Sequence, residues 1–276
     1  MIQAKQPSTA SANGHQGAGP RLSVVTMVND EQAYRLSRET LEHQLDARDV
    51  QWIAIRPSEH GWGAAASLNH GIDRAEASWV VCVHQDVLFP DGWWDRVEAQ
   101  LDTWEGAPIG VAGLLGRDAN GERRGHLLDA HGYTWLGPLP APVLTLDEHL
   151  LIVRKDEGLR FDPDTPGFHV YGSDLCLEAR RRGLAAVVLD APVVHLSPGH
   201  IDASYHRAAA WLVAKWRGQV GGAIPTPARI LYDRGWRGWG GRLRFKLTCS
   251  RAVQCNVGRL VEGFARHRRA GAVGCR

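Results

Sequence analysis

Short apolar runs alternate with segments of helical periodicity in the first third of the chain. The runs cover residues 22–28, 50–55 and 79–83, and residues 31–45 and 64–76 between them carry apolar side chains at helical spacing. Strands that are apolar throughout are typical of a parallel sheet covered on both faces. Alternating strands and helices connect through right-handed crossovers. The pattern therefore predicts an α/β fold, with a Rossmann-like, mostly parallel mixed sheet and helices on both faces.

The pattern is less regular in the second half of the chain. Further strands are predicted at residues 109–115 and 185–189, and helices at residues 173–183 and 203–217. Residues 126–142 are rich in glycine and proline, which predicts a loop over the site.

Both ends of the chain differ in composition from the part between them. Residues 1–20 are rich in Ser, Ala, Gly and Gln and lack the hydrophobic core of a secretory signal, so we expect a disordered leader. Residues 21–217 form the predicted globular domain, and residues 218–276 form a predicted basic, helical C-terminal extension. Residues 234–276 contain eleven basic residues and one acidic residue, although the whole chain carries a net charge of only +2. Apolar side chains at helical spacing from Val253 onward predict an amphipathic helix there.

This basic extension is compatible with three uses. It would bind an anionic membrane surface, which suits a glycan or lipid-linked acceptor, or it would pack on the acidic body of the protein. It could also bind nucleic acid nonspecifically, although no motif for specific recognition of nucleic acid occurs. Five cysteines without a Cys-x-x-Cys pair indicate reduced thiols, and no apolar run is long enough for a membrane span. We expect a cytoplasmic protein, either free or peripheral to the inner face of the membrane.

The third apolar run ends in His84-Gln85-Asp86, at the edge where open α/β sheets bind ligands. The Asp86 carboxylate can hold a hard divalent cation that bridges a diphosphate. Alternatively, Asp86 caps the turn before Pro90. The glycine-rich phosphate loops of dinucleotide-binding enzymes and of P-loop nucleotide hydrolases do not occur in the sequence, which argues against both classes.

Two motif blocks give the sequence a family resemblance. The first leads from Asn69-His70-Gly71-Ile72 through Ala75 to WVVCVHQDVLFPDGW, and the second is FDPDTPGFHVYGSDLCLEARRRGLAAVVLDAPVVHLSPGH. Together they resemble family-2-like glycosyltransferases over residues 22–200, and the His-Gln-Asp-Val form is similar to the subgroup of streptomycin-biosynthesis StrF-type domains. The resemblance implies a GT-A fold and the transfer of a sugar from a nucleoside diphosphate sugar donor to an acceptor hydroxyl, assisted by Mn²⁺ or Mg²⁺.

The resemblance also implies which residues bind the donor. Those that would contact the nucleotide, the sugar or the metal-bound diphosphate are Met27, Val28, Asn29, Asn69, His84, Gln85 and Asp86. Asp86 would be a metal ligand, and His195 at the end of a later strand could complete the metal shell, since imidazole suits Mn²⁺ better than Mg²⁺. His200 could substitute for His195. Alternatively, His195 is a hydrogen-bonded structural residue.

Transfer to a hydroxyl also needs a general base, usually a carboxylate. Asp174 is the predicted base, because it opens a helix whose N-terminus keeps a carboxylate ionised. Alternatively, Asp174 only caps that helix. The family's acidic pair before this helix is reduced here, because Gly172 stands where the base usually lies. With Asp174 as base, the predicted course is a single displacement with inversion.

Two other functions remain open at this point. A non-catalytic module that binds a nucleotide sugar or a glycan would keep the fold without the chemistry, and Gly172 and the single carboxylate of Asp86 favour it. A nucleotidyltransferase would also use an α/β sheet and metals held by carboxylates. It would need a second carboxylate near Asp86 and a first loop rich in Gly, Arg and Lys, and neither occurs.

Overall fold

The computed structural model of the protein describes residues 19–199 and 201–232. The predicted leader therefore lies outside the described residues except for Gly19 and Pro20. The predicted amphipathic helix that starts near Val253 and the candidate ligand His200 also lie outside them. No helix within the described ranges has the length and apolar character needed to cross a lipid bilayer.

The described residues form six α-helices and fifteen β-strands. The helices are α1 (Glu31–Glu42), α2 (Pro57–His60), α3 (Ala64–Arg74), α4 (Trp93–Asp102), α5 (Tyr171–Arg181) and α6 (Ala203–Lys215). The strands are β1 (Leu22–Met27), β2 (Val50–Ile55), β3 (Trp79–His84), β4 (Val87–Leu88), β5 (Ile109–Gly113), β6 (Leu115–Arg117), β7 (Arg123–Asp129), β8 (Gly132–Leu136), β9 (Ala141–Val143), β10 (Thr145–Leu146), β11 (Leu150–Arg154), β12 (Ala185–Val188), β13 (Val194–His195), β14 (Ala223–Pro225) and β15 (Ile230–Tyr232).

A seven-stranded sheet in the order β2-β1-β3-β11-β5-β12-β9 forms the centre of the molecule. β1 pairs in parallel with β2 and β3, and β12 pairs in parallel with β5. β11 is antiparallel to both of its neighbours, and β9 is antiparallel to β12. Five of the seven strands therefore run in one direction, which confirms the predicted mixed, mostly parallel sheet.

Helices cover both faces of this sheet, as the apolar spacing predicts. On one face, α3 and α5 bury Leu68, Ile72 and Leu175. On the other face, α1 and α4 bury Leu41 and Trp93. Each such side chain contributes about 1.5–3 kcal/mol when it leaves water, so the two packed faces hold the sheet in place.

Side-chain caps begin two of the helices. The Asp30 carboxylate accepts hydrogen bonds from the amides of Gln32 and Ala33, at 2.9 and 3.1 Å. Asp202 caps α6 in the same way. A capping aspartate satisfies amides that have no partner within the helix, and this fixes where the helix starts.

The described residues also form a second large sheet. Its strand order is β10-β6-β7-β13-β4, and β8 pairs with β7 outside this path. β13 runs antiparallel to β4 with His195 opposite Val87. The amide of Leu196 donates to the carbonyl oxygen of Asp86 at 3.1 Å. The end of β13 is thereby fixed beside the motif that follows β3.

The prediction of a loop over residues 126–142 is wrong. These residues form the end of β7, the whole of β8 and the start of β9. Exposed Tyr133 and Trp135 alternate with half-buried neighbours along β8, which is the period of a strand with one solvated face. The glycines lie at the turns, where Gly132 adopts a φ of +118° that favours glycine.

A β-hairpin follows α6 where the sequence predicts the start of a helical extension. Strands β14 and β15 pair antiparallel, and Ile224 packs against Leu212 and Trp216 of the α6 region. Gly218, Gly221 and Gly222 have positive φ values between α6 and β14, a conformation that favours glycine and does not continue an α-helix. The described part of the predicted extension is therefore a hairpin that packs on the domain.

Gly71 generates a prediction about how α3 packs on β1. A Cβ atom added at this position would lie 2.2 Å from Cγ1 and 2.8 Å from Cγ2 of Val25, which is fully buried. We expect Gly71→Ala to lower the free energy of unfolding by about 1–3 kcal/mol, measured by urea denaturation, because overpacking strains a core. Val25→Ala removes the overlapping methyl groups, so the double variant should lose less than the sum of the single losses. Strictly additive losses would contradict this packing.

Candidate functional site

The carboxyl ends of β1 and β3 lie side by side, with Met27 opposite His84 in the parallel register. A cavity of about 710 Å³ opens at this edge of the sheet. Trp62 and Phe168 contribute aromatic surface to its wall. Six of the seven predicted donor-binding residues line it, namely Met27, Val28, Asn29, His84, Gln85 and Asp86. The cavity therefore lies where open α/β sheets bind ligands.

Gln85 joins the loop after β1 to the end of β3. Its side-chain oxygen accepts hydrogen bonds from the amides of Asn29 and Asp30, at 2.7 and 2.9 Å. Its side-chain nitrogen donates to Oδ1 of Asn29. Both ends of the amide are thus engaged within the protein, so Gln85 shapes the cavity wall chiefly by holding the Asn29 loop.

Asn69, the seventh predicted donor-binding residue, bonds to the backbone of the protein. Its side chain donates to the carbonyl oxygen of Phe161 at 2.8 Å and accepts from the amide of Phe161 at 2.9 Å. These two bonds tie α3 to the chain that follows β11. Asn69 does not line the cavity, and its contacts support a structural role.

His84, Asp86 and His195 form a cluster that could hold a metal ion. Each offers one ligand atom, and these atoms all lie within 4.8 Å of one another. Nε2 of His195 is 3.5 Å from Oδ1 of Asp86 and 3.4 Å from Nδ1 of His84. Within the described ranges, no other group of three His, Cys, Asp or Glu side chains is found in such an arrangement. Two imidazoles and one carboxylate suit a divalent transition metal such as Mn²⁺ better than Mg²⁺, which prefers oxygen ligands.

The protonation states of the cluster favour metal binding. Burial and the neighbouring His195 lower the pKa of His84 to about 4, so its imidazole is neutral near pH 7. Burial disfavours the charged form of Asp86, but the interactions with His195, Ser197 and His84 together outweigh it and hold the pKa of this carboxyl well below its usual range. A neutral imidazole and an ionised carboxylate are the forms that bind metals.

The segment before β11 supports the cluster from one side. The carbonyl oxygen of His149 accepts from the amide of His84 at 2.9 Å, and the His149 ring stacks on His195 with the ring centroids 5.4 Å apart. Nδ1 of His149 pairs with Oδ1 of Asp147 at 2.8 Å. A carboxylate–imidazole pair orients the rings around a metal site. The sequence gives no periodic signal for this role, because the segment meets the cluster only in the folded chain.

Ser197 and Tyr171 complete the surroundings of the cluster. Oγ of Ser197 lies 3.2 Å from Nε2 of His195, and the hydroxyl oxygen of Tyr171 lies 3.4 Å from Nε2 of His84. Tyr171 is 2% exposed, at the first position of α5. The start of α5 is thereby in contact with the candidate metal ligands.

Asp174, the predicted general base, does not join this cluster. Its carboxylate accepts hydrogen bonds from Nζ of Lys215 at 2.8 Å and from Nε1 of Trp216 at 2.7 Å, and its side chain is 3% exposed. Lys215 also donates to Asp162 at 2.6 Å. Asp174 therefore fastens α6 to α5, and its contacts give no support to the predicted role as base.

No family model matches the chain. A curated protein of Fuscovulum blasticum, "ATP synthase subunits region ORF 6", is 28% identical over 230 residues, which cover 78% of this chain and 91% of that protein.

Solved glycosyltransferases resemble the structure. The S. aureus TarS 1–349 structure in complex with UDP-GlcNAc superposes with a TM-score of 0.50 at 11% identity, covering 70% of this chain and 65% of that chain. The mannosyltransferase PcManGT from Pyrobaculum calidifontis, in complex with GDP-Man and Mn²⁺, gives a TM-score of 0.46 at 14% identity, covering 72% of this chain and 61% of that one. The chain thus spans less than two thirds of the length of these solved chains. The predicted similarity to StrF-type domains has no counterpart among these proteins, whereas the GT-A fold predicted from the sequence is confirmed.

If His84, Asp86 and His195 form the metal site, substitution of these residues weakens Mn²⁺ binding. We expect Asp86→Ala and His195→Ala each to weaken Mn²⁺ binding about tenfold or more, because even a partner beyond the direct ligands commonly contributes that much. Isothermal titration with Mn²⁺ measures the affinity. Asp91→Ala and His206→Ala, at exposed positions outside the cluster, are the matched controls. Equal affinity in all four variants would rule out this cluster as the metal site.

Asp174 generates a separate prediction. Asp174→Asn would place an amide N–H₂ group against the Lys215 ammonium, so we expect the free energy of unfolding to fall by about 1–3 kcal/mol. Mn²⁺ affinity should stay at the wild-type value. Asp164→Asn, at an exposed position, controls for the loss of a charge. Loss of Mn²⁺ affinity with unchanged stability in Asp174→Asn would show that Asp174 belongs to the site after all.

Proposed function

We propose that this protein is a metal-assisted glycosyltransferase that moves a sugar from a nucleoside diphosphate sugar to an acceptor hydroxyl. The observation that carries the proposal is the cluster of His84, Asp86 and His195 beside a cavity of about 710 Å³ at the carboxyl edge of β1 and β3. The GT-A fold supports it, and the TarS structure that shares this fold contains UDP-GlcNAc.

The cavity offers complementary surfaces for the two ends of such a donor. Trp62, Val28 and Asn29 would contact the nucleoside, because an aromatic face can stack on a base. His84 and Asp86, which also line the cavity, would lie beside the diphosphate. This arrangement agrees with the donor-binding roles expected for Met27, Val28 and Asn29.

His84, Asp86 and His195 would hold the divalent cation. When bound, such a cation neutralises the negative charge that develops on the departing nucleoside diphosphate. Asp86 is the anionic member of the set, and its depressed pKa keeps it ionised at neutral pH. His149 and Asp147 hold the neighbouring ring of His195 in place. A single displacement with inversion of the sugar is the course that we propose.

The acceptor and the location of the protein are further parts of the proposal. A glycan or lipid-linked acceptor, and a cytoplasmic protein held at an anionic membrane surface by residues 234–276, agree with the charge of that segment. The segment lies outside the described residues.

A second candidate is a module that binds nucleotide sugars without turnover. The pairing of Asp174 with Lys215 and Trp216 favours it, because the predicted base is unavailable to an acceptor. The two candidates differ in one measurable property, the release of nucleotide from the donor.

Nucleotide release tests the proposal. Purified protein is incubated with UDP-, GDP- and dTDP-sugars, Mn²⁺ and a panel of octyl glycosides as acceptors. We expect release with at least one donor, its loss when EDTA removes the metal, and a fall of about 100-fold or more in Asp86→Asn, because stabilisation of leaving-group charge is a large catalytic term. Asp91→Asn is the matched control. Tight donor binding without release for every pair would favour the binding module and contradict the enzyme.

A further inference from the structure

The proposed transfer to a hydroxyl needs a group that takes up the proton, usually a carboxylate, and several carboxylates of this half of the molecule are already engaged. Asp86 belongs to the cluster, and Asp147 pairs with His149 at 2.8 Å. Asp162 and Asp174 both accept from Lys215. Glu148 differs from these four, because no Lys, Arg or His among the described residues forms an ion pair with it.

Glu148 lies at the N-terminus of α5. Backbone amides of Gly172 and Ser173 stabilise the charged form of its carboxylate. Its Cγ atom lies 3.2 Å from the position that a Cβ atom on Gly172 would occupy. The missing side chain at position 172 therefore leaves the space that Glu148 fills. The carboxylate at the start of α5 therefore comes from the segment before β11 and not from α5 itself.

Tyr171 links the backbone of Glu148 to one of the candidate metal ligands. The hydroxyl of Tyr171 lies 3.4 Å from Nε2 of His84 and 3.4 Å from the carbonyl oxygen of Glu148. Glu148 is partly exposed, whereas Asp174 is 2% exposed. Of these two carboxylic acids, Glu148 is therefore the more accessible to solvent.

The backbone at the start of α5 is strained. Val170, which precedes the helix, has a φ of +58°, although it is β-branched and not glycine. Such a conformation costs about 1–3 kcal/mol, and residues of this kind cluster at active sites. Val170 directly precedes the first turn of α5, which contains the amides of Gly172 and Ser173 that meet Glu148.

Burial and the negative charge of Asp147 raise the pKa of the Glu148 carboxyl above its usual range. General bases work best when their pKa lies near the working pH, because they are then both sufficiently ionised and sufficiently basic. Asp86 belongs to the candidate metal cluster and is therefore not available for this task.

We propose that Glu148 is the general base of the transfer reaction. Its carboxylate takes the proton of the acceptor hydroxyl as the acceptor oxygen forms a bond to the anomeric carbon of the donor sugar. The bond between that carbon and the diphosphate oxygen breaks, and its electron pair leaves with the nucleoside diphosphate. Glu148 carries the proton away after transfer. This assignment rests on the proposed function.

Glu148→Gln tests the assignment in the full chain, because glutamine keeps the shape of the side chain and cannot take up the proton. With the donor and octyl glycoside that give the fastest release in the wild type, we expect kcat to fall by about 10²–10⁴-fold. The KM for the donor and the affinity for Mn²⁺ should change less than about threefold, since neither uses the base. Glu148→Asp should retain more activity than Glu148→Gln. Glu105→Gln, at an exposed position, is the matched control.

Two results would overturn the assignment. A kcat within about threefold of the wild type in Glu148→Gln would show that another group takes the proton, while an active wild type leaves the proposed function standing. A parallel loss of donor and Mn²⁺ affinity would show that Glu148 only supports the structure. A wild type without release for every donor would instead contradict the proposed function itself, and the base with it.

Discussion

The antiparallel pairing of β13 with β4 is the constraint on which the candidate site depends. Asp86 and His195 are far apart in sequence, and the central sheet alone does not bring them together. The second sheet does so by placing His195 opposite Val87, with the amide of Leu196 bonded to the carbonyl of Asp86. Because backbone pairing has a fixed register, the two side chains meet at 3.5 Å without relying on a flexible loop. The cavity, the cluster and the segment that carries His149 are all arranged around this contact.

Most polar side chains near the site have structural partners, and this decides which ones are free for chemistry. Gln85 holds the loop after β1, Asn69 holds the chain at Phe161, and Asp174 is neutralised by Lys215. Buried polar groups without partners are costly, so each of these contacts stabilises the fold as it removes a candidate from the reaction. Glu148 remains, since its carboxylate meets backbone amides and no cation among the described residues.

The elements that depend on local hydrophobic periodicity are predictable from the sequence. Three apolar runs with two amphipathic helices between them predict the succession of β1, β2 and β3. The parallel pairing of β1 with β3 then places Met27 opposite His84 at one edge of the sheet. Side-chain contacts between segments that are distant in the sequence are not predictable in this way. Lys215 pairs with Asp174 across 41 residues, and no spacing in the sequence reveals that ion pair. Glu148 has no signal in the sequence for a related reason, because its position beside α5 depends on the absence of a side chain at Gly172.

The most direct test of the metal site is a crystal structure of the protein with Mn²⁺ and a UDP-sugar, recorded at a wavelength where manganese scatters anomalously. The site predicts a manganese peak within coordination distance of His84, Asp86 and His195, with the diphosphate on the metal and the nucleoside toward Asn29 and Trp62. A manganese ion or nucleotide bound away from Asp86, with the cavity empty, would contradict it.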